Sequence, residues 1–214
     1  MRFTLLLLLI TSSCASFWKV EPKNQPHTKT ADKKPEAKQL EFYEVAPDKT
    51  TALLKQNLFH VIQIYDLTRF MYTYRVKIQD GVLNHSHPIL TLNTKYARTP
   101  NKLMASFLHQ QFHWWANGHP KQVRAAIADF EKIYKDNPGR NAEDRKHYYL
   151  HLVVNYLEFR CMGKLIGYHQ THRVQQEMLK IEDHYSWAYS KIYRNPTQIR
   201  TILRKHNLIP YSLN

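Results

Sequence analysis

Two histidines four residues apart sit in a stretch that otherwise asks to be buried: Leu108-His109-Gln110-Gln111-Phe112-His113-Trp114-Trp115. Four residues is just over one helical turn, so on a helix both imidazoles leave the same face, with Cβ atoms about 5–6 Å apart. Two rings so placed can share one metal ion, each nitrogen about 2 Å from it. Left buried without partners, such polar groups cost about 1–3 kcal/mol each. The fold must therefore bring a metal or further polar side chains to this point. Spacing by itself does not choose between these: with 13 His in 214 residues, chance supplies roughly 0.8 pairs at this interval. The chain holds two, the second being His147/His151.

That second pair belongs to a longer pattern. In His147-Tyr-Tyr-Leu-His151-Leu-Val-Val-Asn155-Tyr-Leu-Glu158 the polar residues recur at steps of four, four and three, a single polar stripe along an apolar helix. Glu158, seven residues after His151 and on its face, is costly to bury unless it meets a cation, a metal or hydrogen-bond donors. Two helices with buried polar stripes are what a His-His-Glu metal site needs. They are equally what a hydrogen-bonded structural network needs, or an ion pair between Glu158 and one of the arginines. The residues alone leave these open.

Around these two helices the periodicity predicts a mainly helical α+β domain from residue 41 to 214. Asp48 reads as the N-cap of a helix whose Leu54, Leu58, Val61, Ile62 and Tyr65 form one stripe. Phe70 to Ile78 is aromatic and β-branched and ends at Asp80-Gly81; Pro88 to Leu92 follows, which predicts a small antiparallel sheet. Thr99-Pro100 opens the helix that carries His109 and His113, and Gly118 with Pro120 ends it. An amphipathic helix is then expected over 121–135, and further helices over 143–162, 170–180 and 182–193, with a last one opened by Asn195-Pro196.

The formal net charge of +14 favours anionic partners in general, but it is spread along the chain with no Arg-rich arm or recognisable nucleic-acid motif, so no nucleic acid is expected. Two cysteines, Cys14 and Cys161, exclude a disulfide scaffold, and Cys161 is expected to be a buried free thiol. At the N-terminus, Met1-Arg2 followed by the apolar run Leu5 to Ile10 reads as a signal peptide over 1–14, far short of a membrane span. Ser13-Cys14-Ala15 fits ordinary signal-peptidase cleavage. Ile10 to Cys14 also resembles a bacterial lipobox, with Thr11 where Leu or Val is usual, which makes Cys14 a candidate lipidation site. Residues 15–40, rich in Lys and Pro and nearly without apolar side chains after Val20, read as a flexible basic linker. The expected location is the bacterial cell envelope on the periplasmic side, held to the membrane by lipid.

Several blocks together resemble a little-characterised family of zinc metallopeptidases of the zincin, gluzincin-like type, whose helix reads H-E-Q-[FL]-H-W. They are His87-Pro-Ile-Leu-Thr-Leu-Asn-Thr94, His109-x-Gln-Phe-His-Trp114, Tyr149-Leu-His-Leu-Val-Val154 with Leu157-Glu158, and His184-Tyr185-x-Trp187-x-Tyr189. The resemblance spans roughly residues 55–208 and implies a zincin-like domain that binds zinc. His109, His113 and Glu158 are then the metal ligands, with His151 the alternative ligand or a donor to the transition state. Tyr185 or Tyr189 is a phenolic donor, against which each has an aromatic packing role. The segment from Phe70 to Leu92 is, on the same resemblance, an edge to which peptides add as a strand.

One position departs from the family. The residue after the first His is Gln110 where Glu is expected, and that Glu takes a proton from the attacking water. A neutral amide is no base. Gln111 cannot replace it, because at 100° per residue it points away from both histidines. Loss of a general base costs about 10²–10⁴-fold in rate. The chain is therefore expected to be a zinc-binding, catalytically impaired metallopeptidase homologue acting on peptide or cell-envelope material. The alternatives are an active peptidase with a displaced base, His151 being one candidate, and a metal-free basic module that binds the envelope.

Overall fold

The computed structural model describes residues 39–181 and 183–213. The expected signal segment 1–14, Cys14 and nearly all of the 15–40 linker lie outside the described residues.

The domain opens with a strand, β1 (Glu41–Glu44), then helix α1 (Lys49–Tyr65) and strand β2 (Arg75–Ile78). Asp48 caps α1 as its sequence predicts: its carboxylate accepts from the Thr50 and Thr51 amides, while Thr51 Oγ1 accepts from the Asp48 amide. Strand β3 (Leu90–Leu92) completes a three-stranded sheet of order β1-β2-β3.

Both pairings are parallel, which corrects the expected antiparallel sheet. The first follows from α1, which carries the chain back as a crossover between β1 and β2. For the second, the turn at Asp80-Gly81 does not close a hairpin. Residues 79–89 form a wide return loop, near the dozen residues that a parallel connection requires, so β3 enters in the direction of β2. The only antiparallel contact of this region among the described residues is a bridge, His85 to Thr91, which lays the loop against the outer edge of β3.

Among the described residues seven α-helices make up most of the fold: after α1 come α2 (Pro100–Asn117), α3 (Pro120–Ile133), α4 (Ala142–Ile166), α5 (Tyr168–Leu179), α6 (Ser186–Arg194) and α7 (Pro196–Lys205). Among the described residues none is long and apolar enough to cross a membrane. The central one is α4. Asn141 caps it through the Asp144 amide, and Glu143 and Asp144 in its first turn suit the positive end of its dipole. It continues past Met162, where its end was expected, to Gly167, whose φ of 80° lies in the region open to glycine. Helices α2, α3, α5, α6 and α7 pack around it. Fully buried Leu152, Val153, Val154, Leu157 and Cys161 fill the contacts. Cys161 is a free thiol, as expected, and burial pushes its pKa up.

α2 is pinned at several points. Pro100 stands in its first turn, but Thr99 does not cap it with its side chain; the Thr99 hydroxyl donates to the Tyr96 carbonyl instead. Gln111 is buried and fully used: its Oε1 accepts from the amides of Tyr72 and Thr73 at 2.7 and 3.0 Å, and its Nε2 donates to the Thr73 carbonyl at 2.9 Å. Trp114 Nε1 donates to the Ser86 carbonyl, and Trp115 Nε1 to that of Leu208. The segment before β2, the return loop and the C-terminal tail are each fastened to this one helix.

Candidate metal centre

With α2 held in this way, its opposite stripe faces α4. His109 and His113 are 5% and 8% exposed, and across from them lies His151 of α4 at 3%. One ring nitrogen from each of these three histidines can be chosen so that all lie within 4.8 Å of one another, a group suited to hold a metal ion. His109 Nε2 and His113 Nε2 stand 3.2 Å apart. Two nitrogens bound to one tetrahedral ion, each about 2.0–2.1 Å away, are separated by roughly 3.3–3.4 Å. The rings of His109 and His113 lie 5.6 and 5.1 Å from that of His151, centroid to centroid.

The protonation pattern fits the same purpose. His109 Nδ1 lies 3.0 Å from Glu158 Oε2, and a carboxylate can only accept there, so Nδ1 carries the hydrogen and the Nε2 lone pair turns toward the other rings. His151 Nδ1 donates to the backbone carbonyl of His147 at 2.9 Å, which likewise frees Nε2. Burial, and after it the neighbouring imidazoles, hold His113 and His151 well below the usual histidine pKa. Both are thus neutral at physiological pH, the form in which histidine binds metal.

Glu158, expected as the third ligand, is placed differently. It follows His151 by seven residues, about 10 Å further along α4, and it meets the Nδ1 side of His109 rather than the space among the three Nε2 atoms. Its Oε2 also accepts from Tyr189 at 2.8 Å, and its Oε1 from Gln175 Nε2 at 3.2 Å. Gln175 in turn accepts from Tyr193. Burial first, and then the Glu158 charge, push the Tyr189 hydroxyl well above the usual phenol range, so it stays a donor. Tyr189 is therefore engaged with Glu158, whereas the Tyr185 ring lies 4.9 Å from that of His109 and 4.8 Å from that of His151.

Gln110 is 3% exposed and lines a cavity of about 70 Å³ with Ser106, His109, Glu158, Tyr185 and Tyr189. A second, larger cleft of about 310 Å³ reaches His151 from the other side, past Arg140, Asp144 and His147. Among the described residues the only carboxylates lining either space are Glu158 and Asp144. Ser106 and Gln175 were not singled out from the sequence. Ser106 carried a signal, since 106, 109, 110 and 113 share one helical face; Gln175, on an otherwise polar helix, carried none.

Comparison with family models, with curated proteins and with solved structures returned no match.

Proposed function

We propose that this protein binds zinc through His109, His113 and His151, with Glu158 orienting His109 from behind, and that it does so with little or no hydrolytic activity. The observation that carries this reading is the convergence of three buried imidazoles, two of them fixed by outer acceptors in the tautomer that turns Nε2 inward. A metal-ligating histidine that gives its other N–H to a carboxylate or a backbone carbonyl is the usual support for such a site. Imidazole alone suits several transition metals; the motif resemblance to zinc metallopeptidases favours zinc. His109, His113 and His151 would hold the ion, and a zinc so bound would supply Lewis acidity.

The chain's own residues argue against efficient amide hydrolysis. Gln110 occupies the place of the base, Gln111 is spent on the backbone of Tyr72 and Thr73, and the oxygens of Glu158 already accept three hydrogen bonds. The inward-turned Nε2 of His151 favours a ligand over a displaced base. The Lys- and Pro-rich stretch behind Cys14 supports a lipid-anchored place in the cell envelope, where the protein would hold peptide or envelope material.

Elemental analysis of the purified protein tests the reading. One zinc per chain is expected, lost in His109→Ala and in His151→Ala, with no peptidase activity until Gln110→Glu restores it. A zinc-free protein after incubation with excess zinc ends the metal reading. Equal proteolysis before and after Gln110→Glu ends the claim of impaired catalysis.

A further inference from the structure

The larger cleft, which reaches His151 and holds about 310 Å³, has the size of a small-molecule site. Histidines apart, its described lining carries two charged side chains, Arg140 and Asp144. They are of opposite sign and close in the chain: Arg140 directly precedes the Asn141 cap of α4, and Asp144 lies in the first turn of that helix. Yet they do not pair with each other, and neither side chain forms an ion pair or hydrogen bond with another described residue. Asp129, Asp136 and Glu177, by contrast, each hold a lysine. Arg140 is exposed and Asp144 half-buried, so both stay solvated and the fold spends neither of them.

The signs select the ligand. An anion drawn by Arg140 meets the Asp144 carboxylate in the same cleft, and a cation drawn by Asp144 meets the guanidinium. A molecule that carries both charges suits both groups. We infer that this cleft binds a dipeptide with free ends, its carboxylate on Arg140 and its ammonium on Asp144. A guanidinium matches a carboxylate with two parallel hydrogen bonds, and a carboxylate accepts from an ammonium. Length decides against a single amino acid, whose two charges leave one carbon atom. Two extended residues span up to about 7 Å, which suits groups that stand too far apart to pair with each other. Between the ends the linking amide passes His147 toward His151, while Tyr148 and Tyr185 give the side chains aromatic walls. A longer peptide leaves one of the two charges facing an uncharged group, so the pair also selects by length. The inference names the ligand class of the proposed metal site and rests on that reading for the part His151 plays. Its two recognition groups lie outside the histidine cluster.

Alanyl-alanine is the probe, beside N-acetyl-alanyl-alanine, which lacks the ammonium, and alanyl-alanine amide, which lacks the carboxylate. Each is titrated by calorimetry into the full-length protein, incubated with zinc and freed of excess metal. Alanyl-alanine should bind at least about fivefold more tightly than either blocked form. Arg140→Gln should weaken alanyl-alanine about fivefold and leave the amide unchanged. Asp144→Asn should weaken it about fivefold and leave the N-acetyl form unchanged. The unchanged ligand in each variant reports that the protein is still folded. The inference is overturned if alanyl-alanine fails to bind, if the blocked forms bind equally well, or if a substitution weakens all three ligands alike. Free alanine binding as tightly as the dipeptide overturns it too. Zinc content measured on the same wild-type sample separates the two readings. Zinc bound with alanyl-alanine ignored refutes this inference alone; alanyl-alanine bound without zinc refutes the metal reading alone.

Discussion

Replacing Glu158 by Gln tests the division of labour within the site. The substitution keeps the shape and leaves the three histidines in place. At Oε2 an amide oxygen can still accept from His109 and Tyr189, but without the negative charge. At Oε1 the new NH₂ group meets Gln175 Nε2, donor against donor, where 3.2 Å now separates donor from acceptor. Gln175 cannot flip to relieve this without giving up the bond its Oε1 accepts from Tyr193 at 2.8 Å. Loss of an outer carboxylate partner lowers metal affinity about 10–100-fold. At about 1.4 kcal/mol per tenfold that is about 1.4–2.8 kcal/mol. The assay is a competition titration against a chromophoric chelator, with zinc occupancy read for wild type and Glu158→Gln in parallel. Full occupancy with affinity reduced within that window is expected. Unchanged affinity would refute the supporting role, and complete loss of binding would show that Glu158 is itself a ligand.

The remaining predictions follow from neighbouring contacts. His113→Ala should abolish zinc binding, whereas His147→Ala should keep it within about threefold, because His147 supports His151 through a backbone carbonyl that the substitution leaves in place; isothermal titration calorimetry decides. The metal-free protein should lose stability as pH falls below 6.5, the ordinary histidine value. The unfolded chain takes up protons there that folded His113 and His151 refuse, so stability is full above that pH and falls below it, by up to about 1.4 kcal/mol per pH unit for each group. Urea denaturation across the range should show this slope reduced in His151→Asn, and a flat profile in the wild type would contradict the burial of neutral imidazoles. Gln111→Ala leaves the Tyr72 and Thr73 amides and the Thr73 carbonyl without their partner and should cost about 3 kcal/mol in the same experiment.

Much of this arrangement is legible in the sequence, because helical spacing states which side chains share a face. Asp48 announces α1, Pro100 and Gly118 bound α2, and of the stripe His147, His151, Asn155, Glu158 the last three are buried as their apolar neighbours require. The rotation of 100° per residue places Gln111 away from the histidines, and the structure finds it holding Tyr72 and Thr73. Spacing does not state height. His151 and Glu158 lie on one face of α4, and only the docking of α4 against α2 puts His151 level with the inward nitrogens and Glu158 level with His109 Nδ1. The helices run in opposite directions here, since His113 meets His151 while His109 reaches on to Glu158. Strand direction was hidden for a similar reason. A turn signal at Asp80-Gly81 fixes a local bend, whereas parallel pairing depends on the whole path of residues 79–89 and on β1, whose four residues follow a polar stretch of sequence and give no alternation long enough to read.

Anomalous diffraction recorded on both sides of the zinc absorption edge, from crystals of the zinc-incubated protein, tests the central claim most directly. A single anomalous peak bonded to Nε2 of His109, His113 and His151 is predicted, with the Glu158 carboxylate outside bonding distance and still on His109 Nδ1. A peak bonded to Glu158 in place of His151, or no peak among the three imidazoles, would contradict it.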